Sequence, residues 1–370
     1  MSNPFEDRTR RCQRTLREVG ANAAVLFPSP NFFYVTGFHE EPSERHFLCV
    51  VPAEGDPTVI APSMYAGQLR DGTWIGDVRT WDDDEDPLAI VDAVAAEEDL
   101  DGGRVLLDDT MWATFTLDLR ETLADATFGL ASEVFEDRRI RKDEAELETL
   151  RRAGTLADEV SETIRAMGAD AVGMTEAELA REIERRLADA GGDEPSFEVI
   201  VGSGPNGAMP HHTHGDREIR PGDPVVLDFG AFVDRYPGDQ TRTVVFDGDP
   251  PDEFGTVHGT VLEAMNAAVD AVEPGVTAGA VDRAARDVIE AAGYGDAFLH
   301  RTGHGVGLEV HEPPFVVAGN ERELEPGMVF SVEPGIYLEG EFGVRIEDLV
   351  VVTGDGAERL NDSPRTWRPL

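Results

Sequence analysis

Four carboxylates and one histidine stand in this sequence where a charge is costly. Asp228 interrupts the apolar run Val225-Val226-Leu227-Asp228-Phe229, and Asp239, in Gly238-Asp239-Gln240-Thr241, precedes a second run, Val244-Val245-Phe246. His304 lies among glycines in Gly303-His304-Gly305-Val306-Gly307, with His311 further along the same segment. Glu333 follows Val329-Phe330-Ser331-Val332, and Glu347 has Ile346 and Leu349 as neighbours. A buried carboxylate must be paired, hydrogen-bonded or metal-bound to be tolerated. Taken alone, Asp228 and Asp239 read as turn or edge residues of a hairpin. Together with the other three they read as a shared metal set. Hard oxygen ligands with one nitrogen suit Mn²⁺, Co²⁺, Fe²⁺ or Zn²⁺ rather than a thiolate site. Five ligands are more than one ion needs, whereas two ions sharing two carboxylates use them all.

The elements that must carry these groups follow from pattern. Val225–Phe229 and Val244–Phe246 read as strands joined across the Pro237-Gly238 turn, which would bring both aspartates to one cavity. Gly173-Met174-Thr175 opens a helical stretch that ends at Ala190-Gly191, and Gly275-Val276-Thr277 opens a similar one ending at Ala292-Gly293. Thr175 with Glu178 is a capping-box signature. Two such halves, each a helix leading into strands, suggest a duplicated α+β unit with its site between the halves. Upstream, residues 5–19 look helical. Strand-like runs at 24–27, 47–51, 58–61 and 104–107 then give an α/β domain without obvious chemistry. The charged stretch 136–142 suits a linker, and helical spacing from Asp143 to Met167 starts a new domain. The expected division is 1–135, a linker at 136–142, and 143–370.

Composition narrows the function classes. The chain has 370 residues, 74 acidic against 32 basic, and a formal charge of -42. Its one lysine is Lys142. The acids are spread along the whole length, so a dedicated acidic tail is not the reading, and an apolar content of 41 % argues against disorder. Adaptation to high salt, where screening acts within about 3 Å at 1 M, accounts for the charge. Nucleic acid is an unsuitable partner without clustered basic groups. No apolar run is long enough to span a membrane, and the N-terminal residues carry no secretory pattern. Cys12 and Cys49, without motif spacing, fit a reducing compartment, so a cytoplasmic location is expected.

These segments resemble the pita-bread metallopeptidases, the family of methionine aminopeptidase, Xaa-Pro aminopeptidase and prolidase. Asn31-Phe32-Phe33-Tyr34-Val35-Thr36-Gly37-Phe38 is similar to the N-terminal domain signature of the proline-specific branch, and Arg139-Ile140-Arg141-Lys142-Asp143-Glu144-Ala145-Glu146 to its link into the catalytic domain. The resemblance implies a creatinase-like α/β N-terminal domain followed by an α+β pita-bread domain with internal pseudo-two-fold duplication. It implies two divalent ions, Mn²⁺ foremost, with Asp228 on one ion, Asp239 and Glu347 bridging, and His304 and Glu333 completing the other. Glu333 would also relay a proton, His211 would face the substrate, and His311 would stabilise the oxyanion. Arg345 would orient Glu347 or an acid of the substrate. His39, His212 and His214 are expected to be ordinary surface histidines, and Tyr236 and Arg242 structural.

The implied activity is hydrolysis of the Xaa-Pro bond at the N-terminus of dipeptides or short peptides, by a homodimer in which the loop near His39 covers the partner's site. Dipeptidase and aminopeptidase stay open, because no arginine follows His311-Glu312 in Pro313-Pro314-Phe315-Val316 to receive a proline carboxylate. The alternative of another class is a catalytically inactive pita-bread binding or chaperone protein, which a lost ligand position would favour; none is lost.

Overall fold

The computed structural model describes residues 3–369, and its chain falls into two compact units that divide between Arg139 and Ile140. In the first unit, helix Pro4–Glu18 is capped by the Asn3 side chain, which accepts from the Phe5 amide. Six strands form one mixed sheet in the order Asp77–Trp81, Thr58–Pro62, Leu48–Pro52, Ala23–Leu26, Arg104–Leu107, Thr127–Leu130. Ala23–Leu26 pairs antiparallel with Leu48–Pro52 and parallel with Arg104–Leu107. These central strands are buried throughout, which is why they read as unbroken apolar runs. Cys12 and Cys49 are free thiols in this core; burial pushes the Cys12 thiol up to about 12, the inert state of a packed cysteine.

Across the stretch 136–142, Glu136–Arg139 close the helix Ser132–Arg139, and Arg141 bridges to Met328. In the second unit, helix Glu144–Arg165 starts from a capping box in which Asp143 and Glu146 exchange side-chain bonds with each other's amides. Helices Glu176–Asp189 and Ala278–Ala291 start from N-cap threonines, Thr175 and Thr277. The repeat extends beyond the caps. Thr175 bridges to Glu218 and Thr277 to Glu323, while the Gly173 and Gly275 amides donate to Ile219 O and Leu324 O at 2.9 and 2.8 Å. Corresponding residues of the two halves thus tie the starts of their helices to the segments at 218–219 and 323–324 in the same way, as duplication requires.

The halves contribute a three-stranded sheet, Gln240–Val244 beside Val225–Phe229 beside Ile200–Ser203, and a five-stranded one centred on Gly303–Gly305, Val329–Val332 and Asp348–Val352. Register puts Asp228 opposite Thr241, Gly305 opposite Phe330, and Val332 opposite Asp348. Gly303 and Gly305 sit so close to the Ser331 and Pro313 carbonyls that a Cβ would collide, so the glycines around His304 are a packing need. The single lysine, Lys142, is buried against Glu312, Nζ to Oε1 at 2.8 Å, so no lysine stands on the surface. No helix of the described residues is long and apolar enough to cross a membrane.

Candidate metal centre

All five carboxylate and histidine candidates line one cavity of about 280 Å³ in the second unit. Within it Asp239, His304 and Glu347 each offer a ligand atom, and these atoms lie within 4.8 Å of one another. His304 Nε2 is 3.7 Å from Asp239 Oδ2 and 3.4 Å from Glu333 Oε1, separations too long for good hydrogen bonds and suited to atoms converging on a cation. His304 Nδ1 faces Gly305 O at 3.3 Å, which fixes the proton on Nδ1 and frees Nε2 to ligate. Asp228 stands outside the triple, its Oδ2 held by Arg345 Nη2 at 2.6 Å, while its Oδ1 is buried with no hydrogen-bond partner. A divalent cation fits this set: it would satisfy the orphaned oxygen and neutralise the crowded carboxylates.

Electrostatics point the same way. Burial, then the charges of Glu347, Asp228 and Glu333, raise Asp239 well above the usual carboxylate range. Glu347 is raised by burial and by Glu333 and Asp228. Burial pushes Glu333 up to about 7, with Arg345 opposing and Asp228 adding. Burial also draws His304 down to about 3, the neutral form a metal ligand needs. Without cations, the site is a repulsive cluster.

His311 lies against His304, ring centroids 4.1 Å apart, and His211 is exposed at the cavity rim. Arg345 differs from expectation. Its Nη2 holds Asp228, Nη1 donates to Tyr337 Oη at 2.9 Å and to Pro210 O at 3.2 Å, and Nε donates to Thr241 Oγ1 at 3.1 Å, so each of its three nitrogens is engaged within the protein. Glu347 is held by the Thr241 hydroxyl at 2.6 Å rather than by Arg345 directly. Tyr337 continues the chain to His300 Nε2 at 2.8 Å. His212 also departs from expectation: it is not a surface histidine, being only 12 % exposed and bonded through Nε2 to Glu176 at 2.8 Å. His214 bonds Val199 O through Nδ1. Tyr236 is a structural residue bonded to Glu146.

Two groups escape a sequence reading. Glu176, wholly buried at the start of its helix, accepts bonds from the Ser203 amide and hydroxyl, Asn206 Nδ2 and His212, tying down the segment that carries His211. A glutamate in a first helical turn looks ordinary, so nothing marked it. Arg301 lines the cavity wall with its guanidinium 4.5 Å over the Phe315 ring, and no carboxylate pairs with it among the described residues. It lies three residues before His304 in sequence, outside the stretch after His311-Glu312 where an arginine was expected.

Residues 148–354 match the profile of metallopeptidase family M24, and residues 8–141 that of the creatinase/prolidase N-terminal domain. The chain belongs to metallopeptidase family M24. Its M24 relatives include the probable dipeptidase PepE of Mycobacterium tuberculosis, 41 % identical over 94 % of this chain and 92 % of that one. The Xaa-Pro dipeptidase of Lactobacillus helveticus is 37 % identical over 93 % and 94 %. Among solved structures, the recombinant prolidase of Thermococcus sibiricus matches with a TM-score of 0.94 at 39 % identity, each chain covered completely. The fold is therefore that of an M24 protein with a creatinase-type N-terminal domain and a pita-bread domain, a family that binds divalent metal, and Asp239, His304 and Glu347 form a cluster able to hold such an ion.

Proposed function

We propose that this M24 peptidase is an Xaa-Pro dipeptidase, with Asp228, Asp239, His304, Glu333 and Glu347 holding two divalent cations, Mn²⁺ before Co²⁺, Fe²⁺ or Zn²⁺. The observation that carries the choice of substrate is Arg301, an arginine without an acidic partner in the wall of the same cavity as the five ligands. At about 280 Å³ the cavity is at the small end for ligand pockets, which run roughly 300–1,000 Å³. A dipeptide ends in a carboxylate close to the scissile bond, and Arg301 is placed to pair with it. Relatives named as dipeptidases and prolidases support the same reading.

Bound divalent cations supply Lewis acidity, polarising the scissile carbonyl and lowering the pKa of the attacking water. Glu333, in the wall of the same cavity, is placed to take a proton from that water and hand it to the leaving proline nitrogen. His311 is placed to donate to the developing oxyanion. His211 orients the substrate from the rim. Arg345 positions Asp228, itself fixed by Tyr337 and Thr241. Residues 1–135 serve as the accessory domain, 136–142 as the connection and 143–370 as the catalytic domain. Family likeness supports a homodimer, and the cysteine usage a cytoplasmic setting. A non-catalytic binding role has no support from an intact ligand set.

Arg301→Ala tests the assignment. The KM for Ala-Pro should rise about 30-fold with kcat little changed, the scale of a lost charge-assisted hydrogen bond. Ala-Pro-amide, which lacks the carboxylate, should be cleaved equally by both proteins. Equal losses on the two substrates would show that Arg301 does not read the carboxylate.

A further inference from the structure

A second polar cluster lies behind the metal centre, and its charge runs against the rest of the molecule. In a chain with a formal charge of -42, Arg165 and Arg242 are 0 % and 1 % exposed. Arg242 Nη2 meets Asp348 Oδ1 at 2.9 Å, but Asp348 also serves Arg359 Nη1 at 2.9 Å and Arg365 Nε at 2.7 Å. One buried carboxylate therefore faces three guanidiniums. Arg165 bonds only neutral oxygens: the carbonyls of Pro364, Thr366 and Arg368 and the Thr366 hydroxyl. Glu162, the acid whose charge reaches it, lies on the exposed side of its helix. A buried cation left without a counter-charge is strongly destabilising.

Four buried polar atoms here have no partner: Arg165 Nε, Arg242 Nε, Ser161 Oγ and His258 Nε2. Each can donate a hydrogen bond. Their carriers converge. Ser161 and Arg165 are one turn apart on one face of helix Glu144–Arg165. On strand Gln240–Val244, Gln240 and Arg242 share a face, and Gln240 Nε2 bonds Asp158 of that helix at 2.6 Å, so Arg242 faces the same helix, where the charge of Asp158 also reaches it. Arg242 and Arg165 grip the adjacent carbonyls of Ser363 and Pro364. His258 lies within reach of the Arg165 charge, and Phe254, one turn earlier on its helix, packs edge-on against Trp367 of the same gripped segment. Unpartnered donors beside guanidiniums that share one buried carboxylate favour a small anion over a cation or a neutral acceptor.

We propose that Arg165 Nε, Arg242 Nε, Ser161 Oγ and His258 Nε2 bind one halide-sized anion, chloride in a salt-rich cell. The ion neutralises the surplus guanidinium, and it pins helix Glu144–Arg165 and segment 363–368 to the strand that carries Thr241 and follows Asp239. It is structural, and it stands whether or not the peptidase assignment does. The acidic surface should make all forms more stable in molar KCl; this site adds a part specific to the anion.

The test is diffraction from crystals of the metal-loaded protein transferred to KBr, with data collected at the bromine edge. An anomalous peak among the four atoms is the expected result, and its absence or a water in its place overturns the proposal. In solution, chloride is exchanged for gluconate at fixed potassium and ionic strength. The wild-type unfolding midpoint should drop by roughly 3 °C, the scale of losing a bound ligand. Ser161→Val, which fills the space with a methyl group, should show no such drop. Equal drops in both proteins would overturn the proposal, and if the variant does not fold, the bromide map alone decides.

Discussion

Asp239→Asn should lower kcat/KM for an Xaa-Pro dipeptide by at least about a thousandfold, while the protein stays folded. The loss follows from the place of Asp239 within 4.8 Å of ligand atoms on both His304 and Glu347, so that it serves any cation held there. An amide keeps the shape but gives up the negative charge that binds the metal, and metal chemistry supplies several kcal/mol of transition-state stabilisation. Stability should move the other way. In the metal-free protein Asp239 is crowded by Glu347, Asp228 and Glu333 in a buried site. Removing one charge relieves that repulsion, so the metal-free variant should unfold at the same temperature as wild type or higher. Metal content by mass spectrometry, steady-state rates and thermal unfolding check all three. A variant that keeps its metal and activity within tenfold of wild type would remove Asp239 from the ligand set.

His311→Ala should cost on the order of 100-fold in kcat and leave KM nearly unchanged. The side chain lines the cavity beside His304, yet it forms no part of the convergent ligand triple. A donor aimed at developing charge acts in the transition state and contributes little to the bound substrate, and losing one typically costs 10²–10³. Metal content should be that of wild type, which separates this variant from Asp239→Asn. A fall in bound metal would make His311 a ligand instead of an oxyanion donor.

Much of the site is legible in the amino-acid sequence because its signal is local. A carboxylate inside or bordering an apolar strand is conspicuous: Asp228 lies within one, and Asp239, Glu333 and Glu347 flank others. His304 does so through its glycines, which the close Ser331 and Pro313 carbonyls require. The helices of the second unit are legible for the same reason: Asp143 and Thr175 sit three residues before a glutamate, and the caps form as those pairs suggest. What stays hidden is pairing across the fold. Arg345 turns to Asp228, far away in sequence, and not to its neighbour Glu347. His212 looks like a surface residue until Glu176 comes beside it from another helix. Arg301 gains meaning only from the cavity it faces and the acid it lacks. The guanidiniums around Asp348 come from positions 242, 359 and 365, and no local pattern unites them.

The most direct measurement is the rate of hydrolysis of Ala-Pro beside Ala-Pro-Ala, in molar KCl, with added Mn²⁺ and after removal of metal by chelation. Metal-dependent cleavage that favours the dipeptide is the expected result. Preference for the tripeptide would make the protein an aminopeptidase and leave Arg301 without its assigned partner. Absence of metal-dependent cleavage of either substrate would contradict the peptidase account despite the assembled ligand set.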